Sequence, residues 1–188
     1  MSRPPEIETS QVTLDHFIRI YPMLPSELCD RIIERAEGAD NWEELKVGEE
    51  SDYYRDSSQI WLEEFPALCE EVLGYLRKEV FNYSNDFFRA TQEMKGFTSI
   101  RVLKYGEGQR VKEHSDAGMQ ARQITIAIPL NDEYEGGQFS FWDKEVIYTI
   151  PKGSGIMFPA NFVFPHEVLP VSKGTRYSLL TWITCGNG

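Results

Sequence analysis

Basic residues are scarce in this chain of 188 residues: 19 Lys and Arg stand against 30 Asp and Glu, a formal net charge of -11. No basic run exceeds two residues. A surface that grips nucleic acid needs Lys and Arg to displace counterions from phosphate, so the composition argues against nucleic acid as a partner. Cysteine is scarce as well. Cys29, Cys69 and Cys185 are odd in number and widely scattered, which excludes both a disulfide framework and a cysteine metal cluster. Apolar runs are short, and none approaches the roughly 18 residues a membrane helix needs. Met1 to Gln11 is polar with two prolines and lacks the apolar stretch of a secretory leader. These absences lead us to expect a soluble, cytoplasmic protein with reduced thiols and no membrane partner. Nothing in the sequence speaks to oligomeric state.

What is present suits one folded unit. Hydrophobic residues make up 41% and aromatics 13%, enough at this length to bury a core without staples. No repeat, low-complexity linker or composition shift marks a second domain, so residues 1–188 read as one domain. Its helical support covers 1–94 and its strand-rich core 95–185. From Pro25 to Gly38 the apolar residues Leu28, Ile32 and Ala36 recur at helical spacing. A second helix is expected from Phe65 to Phe81, with Pro66 in its first turn and Leu68, Val72, Leu76 and Val80 on one face. Between them, Asn41 to Ser58 is acidic and polar, includes Tyr53 and Tyr54, and reads as a long irregular stretch.

Beyond Lys95 the periodicity changes to that of strands. Thr98 to Tyr105 is one, and Gln123 to Leu130 alternates: Ile124, Ile126, Ile128 and Leu130 would cover the helices. Thr125, Ala127 and Pro129 would then face a pocket. Gly136-Gly137, Lys152-Gly153 and Lys173-Gly174 punctuate the remainder into strands near 138–142, 145–150, 154–158, 165–170 and 175–184. About eight short strands and two helices predict a mostly β fold, a double-stranded β-helix or jelly roll with the helices packed on one sheet.

Only three histidines occur. His114 precedes Asp116 by two residues, and on extended backbone such residues project the same way. His166, brought in by an antiparallel neighbour, would complete two imidazoles and one carboxylate on one face of an octahedron, the arrangement that suits Fe(II) oxygenases. Each histidine alone is equally well read as structural: His114 as a surface strand residue, His166 as a partly buried imidazole held by backbone. A structural zinc site would need four ligands, and three are evident. Arg176 and Ser178 share one face of the expected last strand, among Tyr177, Leu179, Leu180 and Trp182. A guanidinium fork beside a hydroxyl binds a carboxylate in two-pronged fashion, and on a buried strand an unpaired charge would be costly.

From Phe97 to Ile183 the sequence resembles the prolyl 4-hydroxylase-like branch of the 2-oxoglutarate/Fe(II)-dependent dioxygenases. The residues that carry the resemblance are Lys104-Tyr105-Gly106-Glu107-Gly108-Gln109, His114-Ser115-Asp116, and Asn131 with Glu135-Gly136-Gly137. It continues through Pro151-Lys152-Gly153, Phe158-Pro159, His166-Glu167-Val168 and Gly174-Thr175-Arg176-Tyr177. More loosely, Leu24 to Arg35 resembles the leading helix, and Arg55-Asp56-Ser57-Ser58 an arginine segment near the substrate. The resemblance implies iron held by His114, Asp116 and His166, with Tyr105 and Arg176 binding 2-oxoglutarate and Ser178 beside them. It also implies dioxygen as reactant, ascorbate as a reductant, and a peptide or protein substrate hydroxylated at proline.

Arg122 matches an arginine close to the peptide in some prolyl hydroxylases, and is equally readable as a solvated strand-end charge. Tyr53, Tyr54, Arg55 and Trp61 are candidates for a lid or substrate wall, and Trp61 is equally readable as core under the second helix. Val111 and Pro129 depart from the pattern, standing where some prolyl hydroxylases have tyrosines. The same chemistry on another side chain, a small molecule or a nucleic-acid base is the rival enzyme reading. A non-catalytic jelly-roll module that binds metal or ligand is the rival of another class.

Overall fold

The structure is a computed structural model that describes residues 13–47, 55–87, 94–117 and 122–185. A one-turn helix at Leu14–Phe17 leads into β1 (Arg19–Pro22), α1 (Ser26–Glu37), β2 (Glu43–Val47) and β3 (Arg55–Trp61). A short turn precedes α2 (Pro66–Asp86), followed by β4 (Met94–Phe97), β5 (Arg101–Tyr105), β6 (Val111–His114) and β7 (Arg122–Pro129). Then come β8 (Tyr134–Gly136), β9 (Phe139–Phe141), β10 (Val146–Tyr148), β11 (Ser154–Pro159), β12 (His166–Val168), β13 (Val171–Gly174) and β14 (Arg176–Cys185). Twelve strands pair antiparallel in one sheet whose path runs β1-β11-β7-β14-β5-β3-β6-β12-β9-β10, with β2 on β3 and β4 on β14. The sheet curls on itself. Phe141 of β9, near one end of that path, meets Phe158 of β11, near the other, edge to face with ring centroids 4.9 Å apart. The fold is therefore the expected jelly roll with two helices on one sheet.

Strand alternation decides which face the helices cover. Ile124, Ile126, Ile128 and Leu130 join Leu28, Ile32 and Ala36 of α1 and Leu68, Val72 and Leu76 of α2 in one core. Ala127 lies in the second core, inside the curl, with Phe139, Phe141, Ile156 and Phe158. α1 ends at Glu37 as expected, with the Gly38 N–H donating to the Glu34 carbonyl at 3.1 Å. α2 runs to Asp86 rather than Phe81, because Tyr83 continues its apolar stripe and donates its hydroxyl hydrogen to the Phe17 carbonyl at 2.9 Å. Burial of that phenol pushes its pKa well above the ordinary tyrosine range.

Two expectations are corrected. The stretch from 41 to 58 is not irregular throughout: β2 and β3 form a ladder from Glu43↔Gln59 to Val47↔Arg55. The inward residues of β3, namely Arg55, Ser57 and Gln59, are buried but polar, so no hydrophobic alternation announces the strand. Tyr53 and Tyr54 lie outside the described residues. Among the described residues the strand count is fourteen rather than about eight, the additions being β1 to β3 and short pieces such as β8 and β13, which pair with each other. Among the described residues no helix is long and apolar enough to cross a membrane. Cys29 and Cys69 are buried free thiols, and burial raises the Cys29 pKa to about 11.

Ile126 is fully buried where β7 meets both helices. Ile126→Ala is expected to cost about 2–5 kcal/mol, read as a lower urea midpoint with an unchanged slope.

Candidate metal and carboxylate site

The pairing of β12 with β6 sets His166 directly opposite His114, and their rings lie 4.5 Å apart between centroids. Each imidazole is oriented in the same way, by the carbonyl two residues before it. His114 Nδ1 lies 2.9 Å from the Lys112 oxygen and His166 Nδ1 lies 3.1 Å from the Phe164 oxygen. A proton on each Nδ1 leaves both Nε2 lone pairs aimed inward. Asp116, just past the end of β6, meets them: Oδ1 is 3.4 Å from His114 Nε2, and Oδ2 is 3.4 Å from His166 Nε2. Its Oδ2 also accepts a 2.7 Å hydrogen bond from Thr125 Oγ1. Burial would raise the Asp116 pKa, but in the metal-free site, where protons on both Nε2 atoms take the place of a metal ion, hydrogen bonds and charge from the two histidines outweigh it and hold the carboxyl well below the usual range. The three ligand atoms lie within 4.8 Å of one another, among residues that are buried or nearly so. Two imidazoles and a carboxylate facing one point, with the other faces open to a cavity, are the donor set that suits Fe(II).

The same cavity reaches Arg176 and Tyr105. Arg176 is 1% exposed, and its Nη1 donates to Ser178 Oγ at 3.0 Å. Its guanidinium carbon lies 5.2 Å from the centre of the Tyr105 ring and 5.8 Å from that of Phe139. Its Nε has no hydrogen-bond partner, and among the described residues no carboxylate pairs with it. A buried cation left in this state costs several kcal/mol unless an anion supplies the missing partner. Tyr105 stands across from Arg176 in the β5–β14 ladder and is likewise buried. The metal donors and this anion seat thus line one cavity, as a 2-oxo dicarboxylate would require.

The candidate substrate residues fall in different places. Arg55 is buried in the cavity wall, its Nε 3.4 Å from Ser57 Oγ. Arg122 lies behind the metal loop, Nη1 at 3.5 Å from the Asp116 carbonyl and its guanidinium 3.7 Å from the centre of the Trp182 ring. Trp61 does not reach the cavity. It faces Arg101 at 4.9 Å and lines a separate groove on the rim. Val111 lines the cavity, whereas Pro129 lines an outer pocket beyond Arg176. Trp182 and Phe139 also line the cavity, and sequence reasoning had assigned neither to the site. Their alternation with Arg176 and Ser178 on β14, and their place after Gly136-Gly137, were the available signals.

Residues 100–184 match the family described as the 2OG-Fe(II) oxygenase superfamily. A PKHD-type hydroxylase of Thermosynechococcus vestitus is 30% identical over 132 residues, covering 64% of this chain and 55% of that protein. The human procollagen-lysine,2-oxoglutarate 5-dioxygenase 2 is 28% identical over 184 residues, covering 87% of this chain and 23% of that protein. The chain spans about half the length of the PKHD-type relatives it matches. In fold it resembles a Pseudomonas putida prolyl-4-hydroxylase, with a TM-score of 0.73, 19% identity, and coverage of 91% of this chain and 94% of that one. The segment that matches the 2OG-Fe(II) oxygenase superfamily, residues 100–184, contains His114, Asp116, His166 and Arg176, and the fold around them is similar to that of a prolyl-4-hydroxylase.

Proposed function

We propose that the protein is a 2-oxoglutarate- and Fe(II)-dependent dioxygenase that hydroxylates a C–H bond of a prolyl residue in a peptide or protein. The observation that carries this reading is a metal-donor triad and an uncompensated buried arginine lining one cavity. His114, Asp116 and His166 would hold the iron, and Arg176 with Ser178 and Tyr105 would bind the distal carboxylate. When bound, iron(II) supplies the redox chemistry that couples decarboxylation of 2-oxoglutarate to oxygen insertion. The chain's own share is placement. The Lys112 and Phe164 carbonyls fix both imidazoles, and Thr125 fixes the carboxylate. Phe139, Phe141 and Phe158 pack around His166 and exclude water from that side. Arg55 and Trp182 line the cavity and would meet a substrate that enters it, while Arg122 backs Trp182 from behind the ring. The helices and the jelly roll act as one domain in this reading, because α1 and α2 share a core with β7 and β14.

A lysyl residue is the second reading, favoured by the similarity to a procollagen-lysine dioxygenase over 87% of this chain. Dioxygen is the co-reactant in either case, and ascorbate would serve as reductant. Succinate release with Fe(II), 2-oxoglutarate and ascorbate is expected, coupled to an added oxygen on proline-containing peptides and lost in His114→Ala. An oxygen on lysine instead would move the substrate to the second reading, and no turnover of 2-oxoglutarate under any condition would sink both.

Thr125→Val keeps the shape but removes the hydrogen bond to Asp116, so Mn(II) affinity, read by titration, is expected to fall about 10–100-fold. An unchanged affinity would show that Thr125 does not orient the carboxylate.

A further inference from the structure

The seat of Arg176 has one wall of bare backbone. Gly137 follows β8 with φ +66°, and its N–H donates to the Pro170 carbonyl at 3.1 Å. A Cβ built there would stand 2.7 Å from Arg176 Cδ, and 3.3 Å from both Tyr134 Cε2 and Val171 Cγ2. No side chain tolerates the first of these distances, so the arginine stem can lie where it does only because residue 137 has none. Gly136 differs. Its φ is also positive, but a Cβ there would meet the backbone of Pro170 and Ser172 rather than the arginine. The remaining walls are the Tyr105 and Phe139 rings, and Ser178 accepts from Nη1. Backbone, two rings and a hydroxyl thus enclose the arginine, and a side chain at 137 would displace its stem.

The metal donors are fixed independently, by the β6–β12 register. A ligand that touches both must match the span between them. We infer that Gly137, with the Phe139 ring, is a positioning element that sets the chain length of the dicarboxylic co-substrate. It holds Arg176 where a five-carbon 2-oxo diacid spans the cavity and its four- and six-carbon homologues do not. The inference rests on the proposed role of Arg176 as carboxylate anchor.

The test is calorimetric titration of the Mn(II)-loaded protein with 2-oxoglutarate, oxaloacetate and 2-oxoadipate, which requires no turnover. In Gly137→Ala the 2-oxoglutarate Kd is expected to rise about 10–100-fold, the cost of a misplaced charged hydrogen bond. Preference over the two homologues should shrink, while Mn(II) affinity stays unchanged. Gly136→Ala is the control: a lower melting temperature with the preference intact. Phe139→Leu leaves the backbone alone and is expected to weaken the preference too, so it decides the matter if Gly137→Ala does not fold. A wild-type preference in folded Gly137→Ala or in Phe139→Leu, or equal weakening toward all three acids, overturns the inference. Binding of 2-oxoglutarate that is untouched in Arg176→Met would instead bring down the carboxylate-anchor reading, and this inference with it.

Discussion

Two histidines far apart in the chain stand opposite one another because β6 and β12 pair antiparallel, and the geometry of the cavity depends on that register. A slip by one residue would turn one imidazole to the opposite face of the sheet and dissolve the triad. The register is guarded from outside. At the tip of the β9–β10 hairpin, Trp142, Asp143 and Lys144 all have positive φ, which is costly for residues with side chains. The return on that strain lies in the contacts of the tip. Trp142 donates from its indole to the Val163 carbonyl at 2.8 Å and from its backbone to the Pro165 carbonyl at 3.2 Å, tying down the loop that delivers His166. Asp143 N–H bonds Glu113, the residue before His114, at 2.6 Å. One strained turn therefore braces the approaches to both histidines.

The electrostatics of the cavity divide it. Near the metal donors, a buried carboxylate is compensated by two imidazoles and a hydroxyl, so the site is stable as built and ready for a cation. At the other side, the Arg176 guanidinium has one hydroxyl and two aromatic faces but, among the described residues, no anion. Aromatic faces offset part of the desolvation of a guanidinium, yet they do not replace a counter-charge. In a protein whose overall charge is -11, a buried guanidinium that no carboxylate meets among the described residues fits the anchoring role proposed for it. The overall negative charge would slow a dianion's approach, so the affinity must come from this local seat.

Much of the core of this arrangement was legible in the sequence because it rests on periodicity. Ile124 to Leu130 alternate, and the structure puts their large residues under the helices and Ala127 inside the curl. His114 with Asp116, and Arg176 with Ser178, are residues two apart that act together, and the structure brings both pairs into one cavity. The strand β3 was not legible, since its inward face is polar and its pattern is that of a loop. The depth of Trp61 was open for a related reason. It belongs to the same inward row as Arg55, Ser57 and Gln59, but sits at the rim, where the row leaves the cavity for a groove shared with Arg101 and Trp182. Sequence spacing fixes which face a strand residue takes and says nothing about how far along the barrel it lies. The strained hairpin tip was invisible for another reason: nothing in Trp-Asp-Lys announces left-handed backbone.

The two ends of the cavity belong to different halves of the curled sheet, and this shapes what each can tolerate. Tyr105, Arg176 and Ser178 sit on β5 and β14, which pair with each other and are backed by the helical core. His114 and His166 sit on β6 and β12, joined to that half along the sheet by the pair Arg55↔Val111 and the hydrogen bond from the Asp56 N–H to the Arg110 carbonyl. Across the interior the halves meet through aromatic packing, Phe139 and Phe141 against Phe158 at 6.3 and 4.9 Å. Ladder hydrogen bonds fix positions within each half, while ring volume and the Thr125–Asp116 hydrogen bond set the spacing between halves. Residues that contact both halves, Phe139 foremost, bear on the metal-to-carboxylate span. Rim residues on the helix-backed half, such as Trp61 and Arg101, line a separate groove and touch the cavity wall only through Trp182.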